Sequence, residues 1–494
     1  MSVQPALQHS VSDALRVDRF APGLQPPPAL QQVANRYPQG DGSFAASVAG
    51  TRPQPDLDLA LAMMANDVYA ADNPQTEQAL AEAGWQRLQP SADGASLVDA
   101  QGNEIPLDPA LLSTAEGFDA AIYQNAEGQY VVAFRGTDDW GLARGGDADD
   151  NGLQGLGFET GQYRDAVILA ETAQRVFGDG NVAFTGHSLG GGLASAASLA
   201  TGVPGVTFNA AGLSDRTLES LGFNPNAVRE SAADSGQLRR YIVNGDPLNA
   251  AQQDLPLLPV LGMSPPNAVG HELRIDPPAG VGRFDLGALH GGGGDGASYV
   301  EALRQNSAYE PAERPLLHDA LERYGEYNLN QLGSLLRQGE EVASDVAGHG
   351  SELVDGLQRA GEDFLRGDVV DATAQAVGDV LDFGIDSAGS LLDGAIDFAG
   401  DTSRNLANAG GGLLRDIGDA TGLEAPFDAV AGVVEGTGQV VGDIADTVGD
   451  VVETVADVVG DGVEAVVDVA GDVGQALSDG AQWLGEKLNP VNWF

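Results

Sequence analysis

Cysteine is absent from the chain, lysine occurs once, at Lys487, and aromatic residues make up only 6% of it. Without cysteine there are no disulfides and no thiolate metal sites, which leaves the redox compartment open. Basic residues number 24 against 72 acidic ones, for a net charge of −48. A nucleic-acid partner is therefore disfavoured, because counterion release needs basic side chains on the phosphates. The same charge repels anionic membrane surfaces unless a cation or an apolar patch intervenes. No 18 consecutive apolar residues occur, so no membrane-spanning helix is predicted. The first thirty residues lack a basic stretch followed by an apolar one, as a Sec leader requires. That predicts export by a route that reads no leader, with a cytoplasmic location as the alternative.

What is present divides by composition, and 494 residues exceed what one core holds. Residues 1–54, with "QPPPAL" at 25–30, read as a disordered Pro- and Gln-rich arm. Residues 55–338 have globular texture. "DLALAMMANDVYAA" has apolar residues at near-helical spacing, and "YVVAFRGT", "NVAFTG", "VTFNAAG" and "RRYIVNGD" are apolar runs ending in turn residues. Strands alternating with helices predict an α/β fold with a mainly parallel sheet flanked by helices.

Residues 339–494 form an acidic Val-, Gly- and Asp-rich tail, with 31 acidic and 5 basic residues from Glu340 onward. From Asp443 to Asp472 the acids step by three or four, which places them on one stripe of a helix with Val and Ala opposite. Gly and Val are poor helix formers, by roughly 1 and 0.5 kcal/mol against Ala. A helical hairpin or bundle that buries the valine face against itself or against another chain, with partial order when alone, is expected.

Within the globular part, "VAFTGHSLGGGLASAASLA" (182–200) sets Ser188 between Gly186 and Gly190, after a strand and before a helix made of small residues. A G-x-S-x-G corner of this kind exposes the serine oxygen at a helix N-terminus, and the flanking glycines relieve Cβ clashes. There the backbone N–H of Leu189 can face a developing oxyanion. A plain Gly-rich strand-to-helix turn is the alternative.

"VVAFRGTDDW", followed about fifty residues later by "FTGHSLGGGLA", resembles the class 3 (fungal-type) lipase family of α/β-hydrolases. "LALAMMANDVY" resembles that family's first helix, and the likeness covers roughly residues 55–330. The resemblance implies an α/β-hydrolase fold, a Ser-Asp-His order along the chain, and Thr137 as the second oxyanion donor. Arg135 would then be a structural charge on that loop, and His187 a packing residue. Asp246, closing "RRYIVNGD", resembles the acid-bearing loop; Asp215 and Asp254 are weaker candidates. For the base, His318 in "RPLLHDALERYGEYNL" resembles the family's closing element. His290, in the flexible "ALHGGGGDGASYVEAL", is the runner-up, and His271 is read as structural.

The resemblance implies a serine carboxylic ester hydrolase acting on lipid, either a phospholipase A or an acylglycerol lipase. No metal is required for that chemistry. The loop 138–157 could cover the site. Asp138, Asp139, Asp147, Asp149 and Asp150 on it offer oxygen ligands to Ca²⁺, although a solvated acidic loop is the commoner outcome. The competing reading is a secreted interaction or delivery protein. In it the acidic tail binds a secretion partner, a chaperone, a membrane or itself, and the hydrolase part is secondary. The acidic, cysteine-free composition is similar to that of bacterial proteins exported without a leader.

Overall fold

The computed structural model describes residues 36–37, 40–69, 73–115, 117–136, 161–255, 264–291, 297–312, 314–366 and 369–450. The chain divides into two compact units, the first over residues 1–252 and 266–312, the second over 253–265 and 313–494.

The first unit is built on seven strands. They are β1 (Trp85–Arg87), β5 (Ala120–Asn125), β6 (Tyr130–Phe134), β7 (Val182–His187), β8 (Gly205–Phe208), β9 (Leu238–Val243) and β10 (His271–Ile275), hydrogen-bonded in that order. Strands β2 (Gln89–Pro90), β3 (Leu97–Val98) and β4 (Glu104–Ile105) make a small separate sheet. β1, β5 and β6 pair antiparallel, and every pair from β6 to β10 is parallel. The result is a mixed α/β unit whose sheet is mostly parallel and flanked by helices.

Its strands are apolar at nearly every position because both faces are covered. On β6, Val132 and Phe134 enter one core with helices α4 (Gly161–Phe177), α5 (Leu189–Thr201) and α7 (Pro225–Ser235). Val131 and Ala133 enter the other, with α1 (Phe44–Val48), α2 (Pro55–Asp67) and α9 (Ser298–Gln305). Helices α3 (Pro74–Glu82), α6 (Asp215–Ser220) and α8 (Leu286–His290), with short turns of helix at Pro109–Leu112 and Pro247–Asn249, also belong to the unit. Strand order follows chain order from β5 to β10, so the carboxyl ends of β6 to β10 lie along one edge, where ligands meet parallel sheets.

The arm expected over residues 1–54 is corrected in part. Residues 1–35 lie outside the described residues, but Phe44 and Val48 of α1 are buried in the second core. Ser43 caps α1 by accepting from the Ala46 amide at 3.1 Å. The Pro and Gln content of the segment masked this five-residue apolar helix. Arg239, fully buried on β9, donates to the carbonyls of Val48 and Gly50 and to the carboxylate of Asp58, which also accepts from the Tyr241 hydroxyl at 2.5 Å. Asp58→Ala would leave that guanidinium buried without its counter-charge. A loss of about 3–5 kcal/mol is expected, read as a lower urea midpoint at unchanged slope; a shift below 1 kcal/mol would refute it.

In the second unit, helix α10 (Leu316–Arg366) runs unbroken across the expected 338/339 boundary and is followed by α11 (Val369–Thr421) and a helix over residues 424–450. Most of the valine stripe expected from residue 440 onward lies outside the described residues, and over 424–450 the valines are not buried within this chain. Val430, Val433, Val440, Val441, Ile444 and Val448 are exposed, while Ala431 and Glu435 are buried. The buried positions are mostly small, Ala431, Gly438, Gly442 and Gly449, with Glu435 held by Arg415 at 2.9 Å; Arg404 reaches the more exposed Asp443 at 3.3 Å and also Asp446. Gly438 packs against Ala407 and Gly400 against Ala445 at the same contact.

The crowded acids make this unit sensitive to pH. Burial, then Asp393 and Asp446, pushes the Asp397 carboxyl up to about 7. Burial, then Glu326, pushes Glu322 up to about 8. Both folded values lie above the unfolded ones, so this contribution is complete at low pH and is lost as pH rises through about 7 to 8. The helical circular-dichroism signal should melt at a higher temperature at about pH 5.5 than at about pH 8.5. A reversed order would contradict the assignment.

Candidate active site

β7 ends at His187 and α5 begins at Leu189, so the whole change of direction falls on Ser188. Its φ is 58° and its ψ −130°, a left-handed backbone that strains any residue with a Cβ. The corner closes because its neighbours lack side chains. A Cβ on Gly186 would strike the carbonyl of Gly190, and one on Gly190 would strike the carbonyl of Phe134 at the end of β6. The Ser188 carbonyl is held by the amides of Gly191 and Ala211, both at 2.9 Å. Leu189 opens α5, so its N–H has no carbonyl one turn earlier to bond, and it sits at the positive end of the helix dipole.

The imidazole against Ser188 belongs to His290. Its Nε2 lies 2.9 Å from Ser188 Oγ and its Nδ1 2.6 Å from Asp246 Oδ1. All three side chains are buried, at 4%, 5% and 1% exposure for Ser188, His290 and Asp246. A carboxylate only accepts, so Nδ1 carries the proton and Nε2 is left to accept from the serine hydroxyl. Asp246 follows the left-handed Gly245, and its Oδ2 accepts from the Asn249 amide at 2.8 Å. The carboxylate is thus buried with both oxygens bonded, which keeps it fixed toward the ring.

His290 ends α8, which Asp285 caps through the Ala288 amide, and Gly291 follows with φ 98°. A side chain on Gly291 would meet the Tyr299 ring, so that turn needs glycine on both counts. His318, favoured from the sequence, sits in the first turn of α10, where its Nε2–H donates to the Gln253 carbonyl at 2.6 Å. The place beside Ser188 that the sequence reading gave to His318 is taken by His290, which is the correction the structure makes.

The other candidates are engaged elsewhere. Asp215 pairs with Arg229 at 2.7 Å, Asp254 lies 3.9 Å from Arg314, and His271 lies 3.4 Å from Glu310. Arg135 pairs with Asp119 at 3.0 Å. Thr137 and the five acids weighed for Ca²⁺ lie outside the described residues. Among the described residues no group of three or more His, Asp or Glu is arranged to hold a metal.

Sequence reasoning passed over Tyr69, Asn209 and Tyr299, and it took His187 for a packing residue. His187 does stack on Tyr299, with ring centroids 4.6 Å apart, and Tyr299 stacks on Phe208 at 5.4 Å. Yet both its ring nitrogens are bonded, Nε2 to the His290 carbonyl at 2.6 Å and Nδ1 to the Tyr69 hydroxyl at 3.1 Å. Burial, and then the neighbouring His290, holds its pKa well below the usual imidazole value. Asn209 donates to the carbonyls of Leu289 and His290 and accepts from the Val243 amide. The one signal for Asn209 in the sequence is its place at the end of an apolar run.

Residues 60–273 match the phospholipase-like family described as a Tle-like phospholipase domain. An extracellular phospholipase A1 of Serratia liquefaciens is 40% identical over 244 residues, which span 48% of this chain and 67% of that protein.

Proposed function

The chain belongs to the family of phospholipases that carry the Tle-like domain, and from that premise we propose that it cleaves the sn-1 acyl ester of phospholipids through Ser188, His290 and Asp246. It is a lipid esterase; the triad reading is supported above all by the continuous hydrogen-bonded path from the Ser188 hydroxyl to the Asp246 carboxylate, and the sn-1 position by the phospholipase A1 relative alone. The fold we propose is that of an α/β-hydrolase, with a class 3 lipase-like arrangement of strands around the elbow.

In the first half-reaction Ser188 Oγ adds to the acyl carbonyl carbon as its proton passes to His290 Nε2. Asp246 holds Nδ1–H and stabilises the imidazolium. The carbonyl electron pair moves onto oxygen, where the Leu189 amide, and in this reading Thr137, donate. Collapse breaks the ester bond, and His290 returns the proton to the departing lysophospholipid oxygen. Water then gives a proton to His290 and attacks the acyl-serine, and the fatty acid leaves as Ser188 recovers its proton. The scheme uses no metal; any Ca²⁺ held by the acids over residues 138–157 would act outside the chemical step.

Since the relative is extracellular, we place the activity outside the cell and assign the acidic second unit to contacts made there or on the way. The test supplies phosphatidylcholine carrying different labelled acyl chains at sn-1 and sn-2, together with a fluorophosphonate probe followed by peptide mapping. Release of the sn-1 acid and labelling at Ser188 are expected. Release of the sn-2 acid would overturn the positional assignment, and a full-length chain that neither hydrolyses nor labels would favour the delivery-protein reading.

A further inference from the structure

We infer that Tyr69 and His187 are a positioning pair that holds the base-bearing turn and the end of β6 in register with Ser188. The inference rests on the proposed roles of Ser188, His290 and Asp246. Gly136, just past β6, donates its N–H to the Tyr69 oxygen at 3.0 Å. The Tyr69 hydroxyl lies 3.1 Å from both Nδ1 and the carbonyl oxygen of His187. His187 Nε2 then reaches the carbonyl of His290 at 2.6 Å, the same oxygen that Asn209 grips at 3.1 Å. Three chain segments that converge on the reaction are thereby joined through two side chains: the residue before Thr137, the residue before the nucleophile, and the base itself.

Proton bookkeeping gives this path one direction. The His290 carbonyl can only accept, so His187 Nε2 is the donor and, in a neutral ring, Nδ1 is an acceptor that shares the single Tyr69 hydroxyl hydrogen with the His187 carbonyl oxygen. Burial keeps the ring neutral, so no second cation stands 4.7 Å from the His290 ring when that ring takes the serine proton. Every bond along the path donates the same way, from Gly136 to Tyr69 to His187 to His290, an arrangement in which each bond polarises the next.

Packing alone does not account for an imidazole here. The stack on Tyr299 needs only a flat ring, and phenylalanine would provide it without burying two polar nitrogens. The two hydrogen bonds are what His187 adds. Their consequence is geometric: misplacing reacting groups by about 1 Å costs up to 10²-fold in rate.

The test compares His187→Phe, which keeps the ring and removes both bonds, with His187→Gln, whose amide can still donate to the His290 carbonyl, and with Tyr69→Phe. His187→Phe should lower kcat by about 30- to 100-fold with KM within about twofold, and the rate of fluorophosphonate labelling at Ser188 should fall in parallel. His187→Gln should recover kcat to within about fivefold of wild type, and Tyr69→Phe should lose about tenfold. The double variant should be no worse than His187→Phe alone, because one path is being cut twice. Variants that melt like wild type but keep kcat and labelling rate within about twofold of it would overturn the inference, as would losses that simply add. Should His187→Phe fail to fold, Tyr69→Phe, which deletes one oxygen, decides the matter alone. Ser188→Ala runs alongside: if it stays active the triad reading has failed, and if it is dead while Tyr69→Phe is normal only the positioning role has.

Discussion

Ser188→Ala is expected to lower kcat for phospholipid ester hydrolysis on the order of 10⁶-fold while leaving the fold intact. The magnitude follows from what is lost. Without Oγ no acyl-enzyme forms, and His290 and Asp246 have nothing to act upon, so the three groups fail together rather than in proportion. The residue also sits at φ 58°, a strain that alanine inherits unchanged, and no core contact disappears with one buried hydroxyl. Thermal stability should therefore move little, and lipid binding should persist. The check is steady-state hydrolysis with active-site titration. Activity within tenfold of wild type would place the nucleophile elsewhere and remove the basis of the proposed mechanism.

The elements that local chemistry dictates were legible in the sequence, and those dictated by tertiary contact were not. β6, β7, β8 and β9 are short apolar runs closed by turn residues, and both sheet faces are covered, so their sequence carries the full signal. The corner at Ser188 was legible for a similar reason: the glycines flanking it answer steric demands that arise within a few residues. Asp246 was visible as a strand-end acid. His290 and His318 could not be ranked from local pattern, because each stands at the edge of a helix near polar residues. What separates them is which turn the fold delivers to the elbow, and that depends on contacts such as Asn209 to Leu289 and His290.

The remaining differences have the same origin. α1 has little weight in composition, because it offers four apolar residues inside a Pro- and Gln-rich stretch, yet Arg239 anchors the segment from nearly two hundred residues away. The valine stripe of the tail was read by hydrophobicity alone. Over residues 424–450 the inner positions are instead the small residues Ala431, Gly438, Gly442 and Gly449, with one carboxylate, Glu435, paired to Arg415. Tyr69 lies at the end of a helix whose pattern reports only burial, and nothing local marks its hydroxyl as the partner of His187.

Comparing His290→Ala with His318→Ala should give the largest contrast between two residues of one type in this chain. His290→Ala removes the acceptor for the serine proton and the donor that satisfies Asp246 Oδ1. A loss on the order of 10⁴- to 10⁶-fold in kcat is expected, with fluorophosphonate labelling of Ser188 suppressed to match. It also leaves a buried carboxylate short of one partner, which should cost about 1–3 kcal/mol of stability. That cost sets a control: Asp246→Asn keeps the volume, still accepts from the Asn249 amide, and should lose about 10⁴-fold by turning the imidazole to the wrong tautomer. His318→Ala deletes a bond to the Gln253 carbonyl at 2.6 Å, a contact between two backbone segments of the second unit and not a proton path. Its kcat should stay within about threefold of wild type, with at most about 1 kcal/mol lost in stability. An inactive, well-folded His318→Ala beside an active His290→Ala would reverse the assignment and restore the order read from the sequence.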